Sequence, residues 1–468
     1  ADLAVSRTLS LNLGLRWEFH SPMREVGGAE GTFDRRAGVL VVAKPPSDFG
    51  TKHGFPGVEV GFVREGVSPP RYKNFAPRIG IAWQPAAHTV VRAGAGIFYV
   101  QNQFNDTSTV GANPGAFALI AVRNTPGSTP QTTTSLFGSN PSAATLDLTV
   151  TDPERQTPRL TQWSFNIQRQ IGTVALEAGY LGSVGRHLMG REELNQARFN
   201  RPGEAVSIQS RRPYPQFGSI LLFSGNENSN YNAITLRITG RVKEALTLLG
   251  GYTWAKSLDG YSSSLEDSNS SHPISNNRRL DYGLSSFDVR HRTSLGATYD
   301  LPFGTGKKFF TGARGLSAHL LAGWQANTIV QWQTGLPFTV VWRTDRSGTG
   351  IPAAQRPNRI ADGNLPRSER TPTRWFDVTA FSPNPLGTHG NSGRNILSQD
   401  DLNTVDLSLF KNFPLTEKVR LQFRAEAFNL LNNDNFLRPE PAIDGPNFGR
   451  VTGVGPAREI QFALKLLW

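Results

Sequence analysis

The chain contains no cysteine, which excludes a disulfide framework and any metal site built on thiolates. It also lacks the run of about 18 apolar residues that a membrane-spanning helix needs. This second absence does not exclude a membrane, because the strands of a transmembrane barrel alternate apolar and polar residues. The 47 glycines and 31 prolines among 468 residues favour many turns and argue against a helical protein.

Acidic residues are outnumbered by basic ones, with 37 Asp and Glu against 49 Lys and Arg and a net charge of +12. A basic balance can indicate a nucleic-acid partner, but here the arginines are scattered along the whole chain. We therefore expect no nucleic acid to bind. No signal-peptide pattern precedes the first strand-like residues, so we expect the natural start of the protein to lie upstream of Ala1.

The last eleven residues, 458–468, show the pattern on which the fold prediction rests. Every second position is apolar, and the positions between them are more polar. The apolar positions are Ile460, Phe462, Leu464, Leu466 and Trp468. A period of two predicts a strand with one apolar face. About ten residues are enough for a tilted strand to cross a bilayer, and such a face would then be exposed to lipid.

The same alternation recurs in eleven other segments, which gives about twelve strands. They lie at 8–19, 76–84, 90–100, 162–168, 174–180, 234–238, 246–254, 288–301, 320–332, 405–409 and 419–427. After the first strand the connections are alternately long and short, as in outer-membrane barrels with long extracellular loops and short periplasmic turns. The predicted fold is therefore all-β, an antiparallel transmembrane β-barrel portion. A soluble sandwich or propeller is the alternative.

Several segments resemble the C-terminal barrel portion of TonB-dependent outer-membrane receptors, and within them the Oar-like branch. They include NFAPRIGIAW (74–83), VVRAGAGIFY (90–99), GWQANTIVQWQTGLPFTV (323–340) and LQFRAEAFNLLNNDNF (421–436). The resemblance implies a 22-stranded barrel with a plug in its lumen, preceded by a carboxypeptidase-regulatory-like domain. Because only about twelve strands are found, we expect residues 1–468 to form a single β-barrel domain, the C-terminal part of a larger barrel without its plug and N-terminal domains.

The resemblance also implies a function and partners. The chain would belong to a receptor in the outer membrane of a Gram-negative bacterium that takes up an unidentified nutrient. Its partners would be outer-membrane lipid, the barrel-assembly machinery, an unknown extracellular solute and a TonB-type energy-coupling protein, the last through a missing N-terminal segment. The assembly signal would be the C-terminal strand with Phe462, Leu464, Leu466 and Trp468. The alternative is a structural or adhesive outer-membrane protein with no transport role.

Eight arginines fall on the polar side of the predicted strands, which would face the lumen. They are Arg16, Arg78, Arg92, Arg237, Arg290, Arg292, Arg420 and Arg424. In a lumen they would attract anionic solutes or set selectivity. The alternative is structural, with the arginines paired to a plug or to nearby carboxylates. Those carboxylates are Glu18, Glu177, Asp288, Asp406 and Glu426.

We find no catalytic, cofactor-binding or metal-binding pattern, and we predict neither an enzyme nor a cofactor. The segment GTGKK at 304–308 lacks the leading glycine of a phosphate-binding loop and the Ser or Thr after its lysine, so it predicts a turn. Gly94 and Gly96 do not complete a dinucleotide-binding fingerprint, and we expect them to relieve crowding in the barrel wall.

One long loop, 257–286, is rich in groups that could hold Ca²⁺. The groups are Asp259, Glu266, Asp267, His272 and Asp281. The Asp-x-Asp-x-Asp spacing of a calcium loop is absent, however, and this favours a solvated loop without a metal.

Overall fold

The computed structural model describes most of the chain. The described residues are 2–22, 24, 30–43, 59–63, 66–100, 119–121, 145–200, 206–243, 245–262, 278–304, 306–351, 355–416 and 418–468. In this part of the chain there are 23 strands, one short α-helix and four 3₁₀ turns. No helix among them is long and apolar enough to cross a membrane.

The strands range from two to 26 residues in length. In chain order they are β1 (Asp2–Ser6), β2 (Leu9–Trp17), β3 (Gly31–Asp34), β4 (Val39–Val42), β5 (Val60–Phe62), β6 (Phe75–Ala86), β7 (Thr89–Tyr99), β8 (Leu119–Ala121), β9 (Thr145–Thr151), β10 (Arg159–Ile171), β11 (Val174–Glu193), β12 (Phe217–Val242), β13 (Leu246–Asp259), β14 (Gly283–Leu284), β15 (His291–Asp300), β16 (Trp324–Gln333), β17 (Pro337–Phe338), β18 (Asn358–Arg359), β19 (Phe381–Ser382), β20 (Leu397–Ser398), β21 (Leu402–Pro414), β22 (Arg420–Phe428) and β23 (Glu459–Leu467). The α-helix, α1, is Leu316–Leu321, and the 3₁₀ turns are Gln209–Arg211, Arg278–Leu280, Arg367–Glu369 and Val378–Ala380.

One large antiparallel sheet organises the chain. Its strands are hydrogen-bonded in the order β1-β2-β6-β7-β10-β11-β12-β13-β15-β16-β21-β22-β23. The last twelve of these thirteen strands correspond to the twelve predicted from alternation, which confirms the predicted fold class. The structure adds β1, which forms a hairpin with β2.

Two of the predicted segments begin three and four residues before their strands. Residues 288–290 precede β15, and the buried carboxylate of Asp288 there accepts a hydrogen bond from the backbone N–H of Ser257. Residues 320–321 belong to α1, and β16 begins only at Trp324. Alternation misled the prediction at these places because a buried loop carboxylate and a helical leucine happen to fit a period of two.

The register separates an apolar face from a polar face across the sheet. Residues directly opposite each other in antiparallel strands have side chains on the same face. One such row contains Leu11, Ile81, Ala93, Phe165, Tyr180, Ile234 and Trp254. On this face Leu15 is 72% exposed and Phe462 is 71% exposed. A continuous exposed apolar band is an aggregation hazard in water but is suited to lipid.

The sheet is open among the described residues. β2 pairs with β1 and β6, and β23 pairs with β22. No ladder joins residues 8–19 to residues 458–468, as expected for part of a larger barrel. The edge of the described sheet is however β1 and not the segment 8–19.

The connections lie in two groups, as predicted. The short ones are 7–8, 87–88, 172–173, 243–245 and 415–419, together with the longer 301–323. At the opposite end of the strands, the described parts of the long connections contain two buried hydrophobic cores. The first core consists of Phe33, Leu40, Val42, Leu146, Leu148, Val150, Phe217, Ile220 and Leu222. The second consists of Phe338, Val340, Trp375, Phe376, Ala380, Phe381 and Leu397. We call this folded end the long-loop cap.

Candidate functional site

Seven of the eight predicted arginines lie in strands of the large sheet, and they share its polar face. They are Arg16, Arg78, Arg92, Arg237, Arg292, Arg420 and Arg424. Residues that are opposite each other in neighbouring strands have side chains on the same face of the sheet. Arg92 is opposite Asn166, for example, and Arg237 is opposite Gly251. Tracing these pairs across the sheet places all seven arginines on one face. Positive charge is thereby concentrated on the face that is directed away from the apolar band.

Arg290 is the exception. It precedes β15 and lies in the loop before the strand. Its guanidinium Nη2 is 3.6 Å from the buried Oδ2 of Asp288, which is one of the carboxylates expected as a structural partner. Arg290 therefore lies just outside β15, although its carbonyl still accepts the backbone N–H of Ala255 in β13 at 3.0 Å. Its position facing the lumen stays a prediction.

Neighbouring side chains hold several of the strand arginines along the polar face. Arg92 Nη1 donates to Gln168 Oε1 at 3.0 Å. Arg424 Nε donates to Gln422 Oε1 at 2.7 Å, and its guanidinium carbon is 4.6 Å from the centre of the Phe410 ring. Neutral amides and an aromatic ring orient these cations without cancelling their charge, so each remains available to an anion.

Gly96 makes room for Arg78 on this face. The guanidinium carbon of Arg78 is 4.4 Å from the centre of the Phe98 ring. A Cβ added at Gly96 would lie 3.1 Å from the Arg78 side chain and 3.3 Å from Phe98. A larger residue at this position would require Arg78 or Phe98 to shift by a few tenths of an ångström, whereas a Cβ at Gly94 would come no closer than 3.4 Å to its neighbours.

We call the seven arginines on the polar face the arginine row. Carboxylates neutralise only some of them. Arg16 Nε is 3.1 Å from Glu18 Oε1. Asp406 accepts a hydrogen bond from the backbone N–H of Asn429, and Glu426 accepts one from the side chain of Gln461. Two of the expected carboxylates thus serve partners other than arginine.

The long-loop cap is held together by buried ion pairs that sequence reasoning missed. Arg356 pairs with Asp281, and both side chains are at most 6% exposed. Burial, and secondarily the nearby Arg394, lowers the pKa of Arg356 to about 10, so the guanidinium is still charged at neutral pH. Arg394 in turn pairs with Asp259 at the end of β13 and donates to the Asp281 carbonyl at 2.8 Å. These contacts fasten the end of β13 and the residues around Asp281 to the part of the chain that contains Arg356 and Arg394.

A buried histidine lies in the same cap. The ring of His389 packs edge-on against Phe199, with 5.1 Å between the ring centres. Both ring nitrogens are buried, and neither has a hydrogen-bond partner among the described residues. Burial lowers the pKa of His389 below its usual value of 6.5; Asp345 opposes this effect and Arg356 adds to it. The ring is therefore neutral at pH 7.

A cavity of about 790 Å³ opens in the cap between four segments that are separated in sequence. The walls come from residues 32–41, residues 152–156 and the ends of β11 and β12 that extend into the cap. This volume is within the range of small-molecule sites. No sequence motif marks the cavity, because each segment contributes only a few ordinary loop residues.

The cavity wall carries charges of both signs. Arg35, Arg36 and Arg155 line it, and so do Asp34, Asp152 and Glu154. Arg35 Nη2 also lies 3.7 Å from Glu192 Oε2. The carboxylate of Asp34 accepts the backbone N–H groups of Arg36 and Ala37, and these hydrogen bonds lower its pKa. Asp34 therefore stays ionised, and the wall, in which three carboxylates offset three arginines, suits a strongly polar solute.

Among the described residues, no group of three or more His, Asp or Glu side chains is placed to hold a metal ion. The proposed Ca²⁺ loop is only partly covered, since Glu266, Asp267 and His272 lie outside the described residues. The two acids of that loop that are described, Asp259 and Asp281, are bound to arginines.

The chain matches a family model described as "Outer membrane beta barrel domain" over residues 2–461. That match covers nearly all of the chain, including the long-loop cap and the large sheet as far as the start of β23. No curated protein sequence matches the chain.

Solved structures of outer-membrane proteins resemble the chain at low identity. The outer membrane transporter YddB from Escherichia coli is 12% identical with a TM-score of 0.44, covering 86% of this chain and 41% of that one. The FrpB iron transporter from Neisseria meningitidis is 10% identical with a TM-score of 0.43, covering 100% and 53%. A mutant of the ferric enterobactin receptor PfeA from Pseudomonas aeruginosa is 9% identical with a TM-score of 0.49, covering 100% and 43%. The chain thus spans about half or less of these proteins.

Proposed function

Because this chain belongs to the outer membrane beta barrel domain family and lies in the outer membrane, we propose that it is part of the barrel of a receptor for TonB-dependent uptake of an extracellular solute. The observation that supports this most is the arginine row on the polar face, opposite a continuous apolar face. In a barrel this arrangement lines a charged, hydrated lumen. The described residues show no metal cluster, and no enzymatic role is proposed.

We further propose that the chain is the C-terminal part of an Oar-like receptor. The support is its sequence resemblance to that branch, together with a large sheet that does not close among the described residues. Energy coupling would then use a segment that the resemblance places before the barrel. The cavity in the long-loop cap, with its charged wall, is the proposed first contact for the solute.

The transport proposal is tested by flux through the protein reconstituted in liposomes. In the triple variant Arg92→Gln, Arg237→Gln and Arg292→Gln, we expect the preference for small anions over cations of equal size to fall several-fold. Arg169→Gln is the matched control, because Arg169 lies in β10 opposite Leu176 and so belongs to the apolar face. An anion preference that is unchanged in the triple variant would contradict a lumenal role for these arginines.

A structural or adhesive role is the second candidate, and the folded cores of the long-loop cap favour it. Such a protein needs an ordered outer surface but no solute path. Uptake in cells with and without the energy-coupling protein separates the two candidates. Accumulation that depends on the coupling protein supports the receptor, whereas loss of surface attachment without any change in uptake supports the adhesive role.

A further inference from the structure

The connection 301–323, between β15 and β16, differs from the other connections at the short-turn end. The others have two to five residues, as the bounds of their strands show. The segment LPFGTGKKFFTGARGLSAHLLAG contains no Asp or Glu, while Lys307, Lys308 and Arg314 make it basic. A long, acid-free connection is unexpected at the end of the barrel where tight turns suffice.

Large apolar side chains of this connection are exposed. Phe310 is 56% exposed, Leu316 is 76% exposed and Leu320 is 52% exposed. Leu316 and Leu320 are four residues apart in α1, so they share one face of the helix. Phe303 packs against Phe309 and Phe310 with ring centres 6.1 and 5.7 Å apart, which forms an aromatic cluster beside the helix. Exposed apolar groups next to basic ones are typical of segments that lie in a membrane interface.

Hydrogen bonds fasten the end of this connection to the apolar face of the sheet. The indole N–H of Trp324 donates to the Leu320 carbonyl at 2.9 Å. Trp324 is opposite Lys411, which is opposite Phe423, so this position belongs to the apolar face. The ammonium group of the buried Lys411 donates to the Ala322 carbonyl. The connection is therefore held on the lipid side of the strands and not on the lumenal side.

We propose that residues 301–323 lie in the periplasmic leaflet of the outer membrane as an interfacial anchor. Phe309, Phe310 and the leucines of α1 enter the acyl boundary, and Lys307, Lys308 and Arg314 bind the phosphates of anionic phospholipids. Three features indicate that lipid is the partner that covers this segment. The segment continues the apolar face of the sheet, its charge is complementary to anionic head groups, and it contains no acid that they would repel.

A single fluorescent label tests the proposal, since the natural chain offers no cysteine to compete with it. Thr311→Cys places an environment-sensitive dye on an exposed position of the connection. The protein is reconstituted in phosphatidylcholine liposomes with and without phosphatidylglycerol, each containing a nitroxide-labelled lipid as quencher. We expect quenching at position 311 that increases with phosphatidylglycerol and is reduced by high salt. Ala87→Cys, in a two-residue turn at the same end of the sheet, is the control label and should be quenched less.

The triple variant Lys307→Gln, Lys308→Gln and Arg314→Gln in the Thr311→Cys background should lose the increase caused by phosphatidylglycerol. Heat-modifiability on gels shows whether each variant still contains a folded barrel. Quenching at 311 that does not exceed quenching at 87, or that is the same in both lipids, would overturn the proposal. The proposal would also be overturned if the dye were shielded only as the density of protein in the liposomes increased. A second copy of the chain would then cover the segment.

Discussion

The buried ion pair between Arg356 and Asp281 makes a quantitative prediction about the long-loop cap. The variant Asp281→Ala removes the carboxylate and leaves a guanidinium that is at most 6% exposed and still charged, since its pKa is about 10. Removing one partner of such a pair costs about 3 to 5 kcal/mol. Arg356 retains hydrogen bonds to the carbonyls of Leu280 and Ser392, which cannot neutralise its charge.

This cost should appear as local opening of the cap and not as unfolding of the sheet. Hydrogen exchange measured by mass spectrometry resolves the two. The reporter is the amide of Ser392, which donates to the Pro357 carbonyl at 3.1 Å. A loss of 3 to 5 kcal/mol corresponds to exchange roughly 100- to 4,000-fold faster. Amides of β10, at Arg159–Ile171, should be unaffected because their ladders lie in the large sheet.

Two further variants test whether the buried charge of Arg356 causes this effect. Arg343→Ala breaks an ion pair to Glu440 in which the arginine side chain is 56% exposed. It should cost at most about 1 kcal/mol, or about five-fold in exchange. The double variant Asp281→Ala with Arg356→Met removes both buried charges and should exchange more slowly than Asp281→Ala alone. If Asp281→Ala accelerates exchange by less than about five-fold, the buried pair does not hold the cap together.

Three further predictions concern the cap, the C-terminus and the edges of the sheet. The folded cap keeps His389 neutral at a pH where the unfolded loop binds a proton. The protection of cap amides from hydrogen exchange should therefore decrease as the pH falls below about 6.5. The variant His389→Leu should show a weaker dependence on pH. Trp468→Ser should lower the yield of heat-modifiable barrel in the membrane while Trp468→Phe keeps it, and a normal yield for the serine variant would argue against an assembly signal. In the edge strands, Val5→Cys with Phe462→Cys should form no disulfide, whereas Ala425→Cys with Phe462→Cys, a directly opposite pair, should form one.

The strands of the large sheet could be predicted from sequence because lipid imposes a simple rule on them. Most residues that face lipid must be apolar, and each neighbour in the chain faces the other way. Leu464 and Lys465 in β23 show the contrast, and their opposite residues in β22 are Phe423 and Gln422. Seven of the eight arginines lie in strands on the polar face, as this rule predicts, and that this face lines a lumen stays a prediction.

The long-loop cap follows no such rule, and sequence reasoning missed it. Its first core joins β9 to β12 by parallel pairing, in which Leu148 is opposite Ile220. The contact spans many residues, and alternation within one segment cannot show which distant segment becomes its partner. A local signal was nevertheless present, since Leu146, Leu148 and Val150 alternate with polar residues in β9. The cavity is harder still, because it exists only once four segments have packed together.

The open sheet contains thirteen strands in a row, and this number bears on how the barrel closes. Every neighbouring pair in that row is antiparallel, so β1 and β23 run in the same direction. Pairing them directly would produce a parallel ladder in an otherwise antiparallel sheet, whereas barrels made from one bacterial chain contain an even number of antiparallel strands. An unpaired edge in lipid would leave backbone N–H and C=O groups unsatisfied at a cost of several kcal/mol each. Under the proposed function an odd number of further strands therefore lies between β23 and β1, and a 22-stranded barrel would require nine.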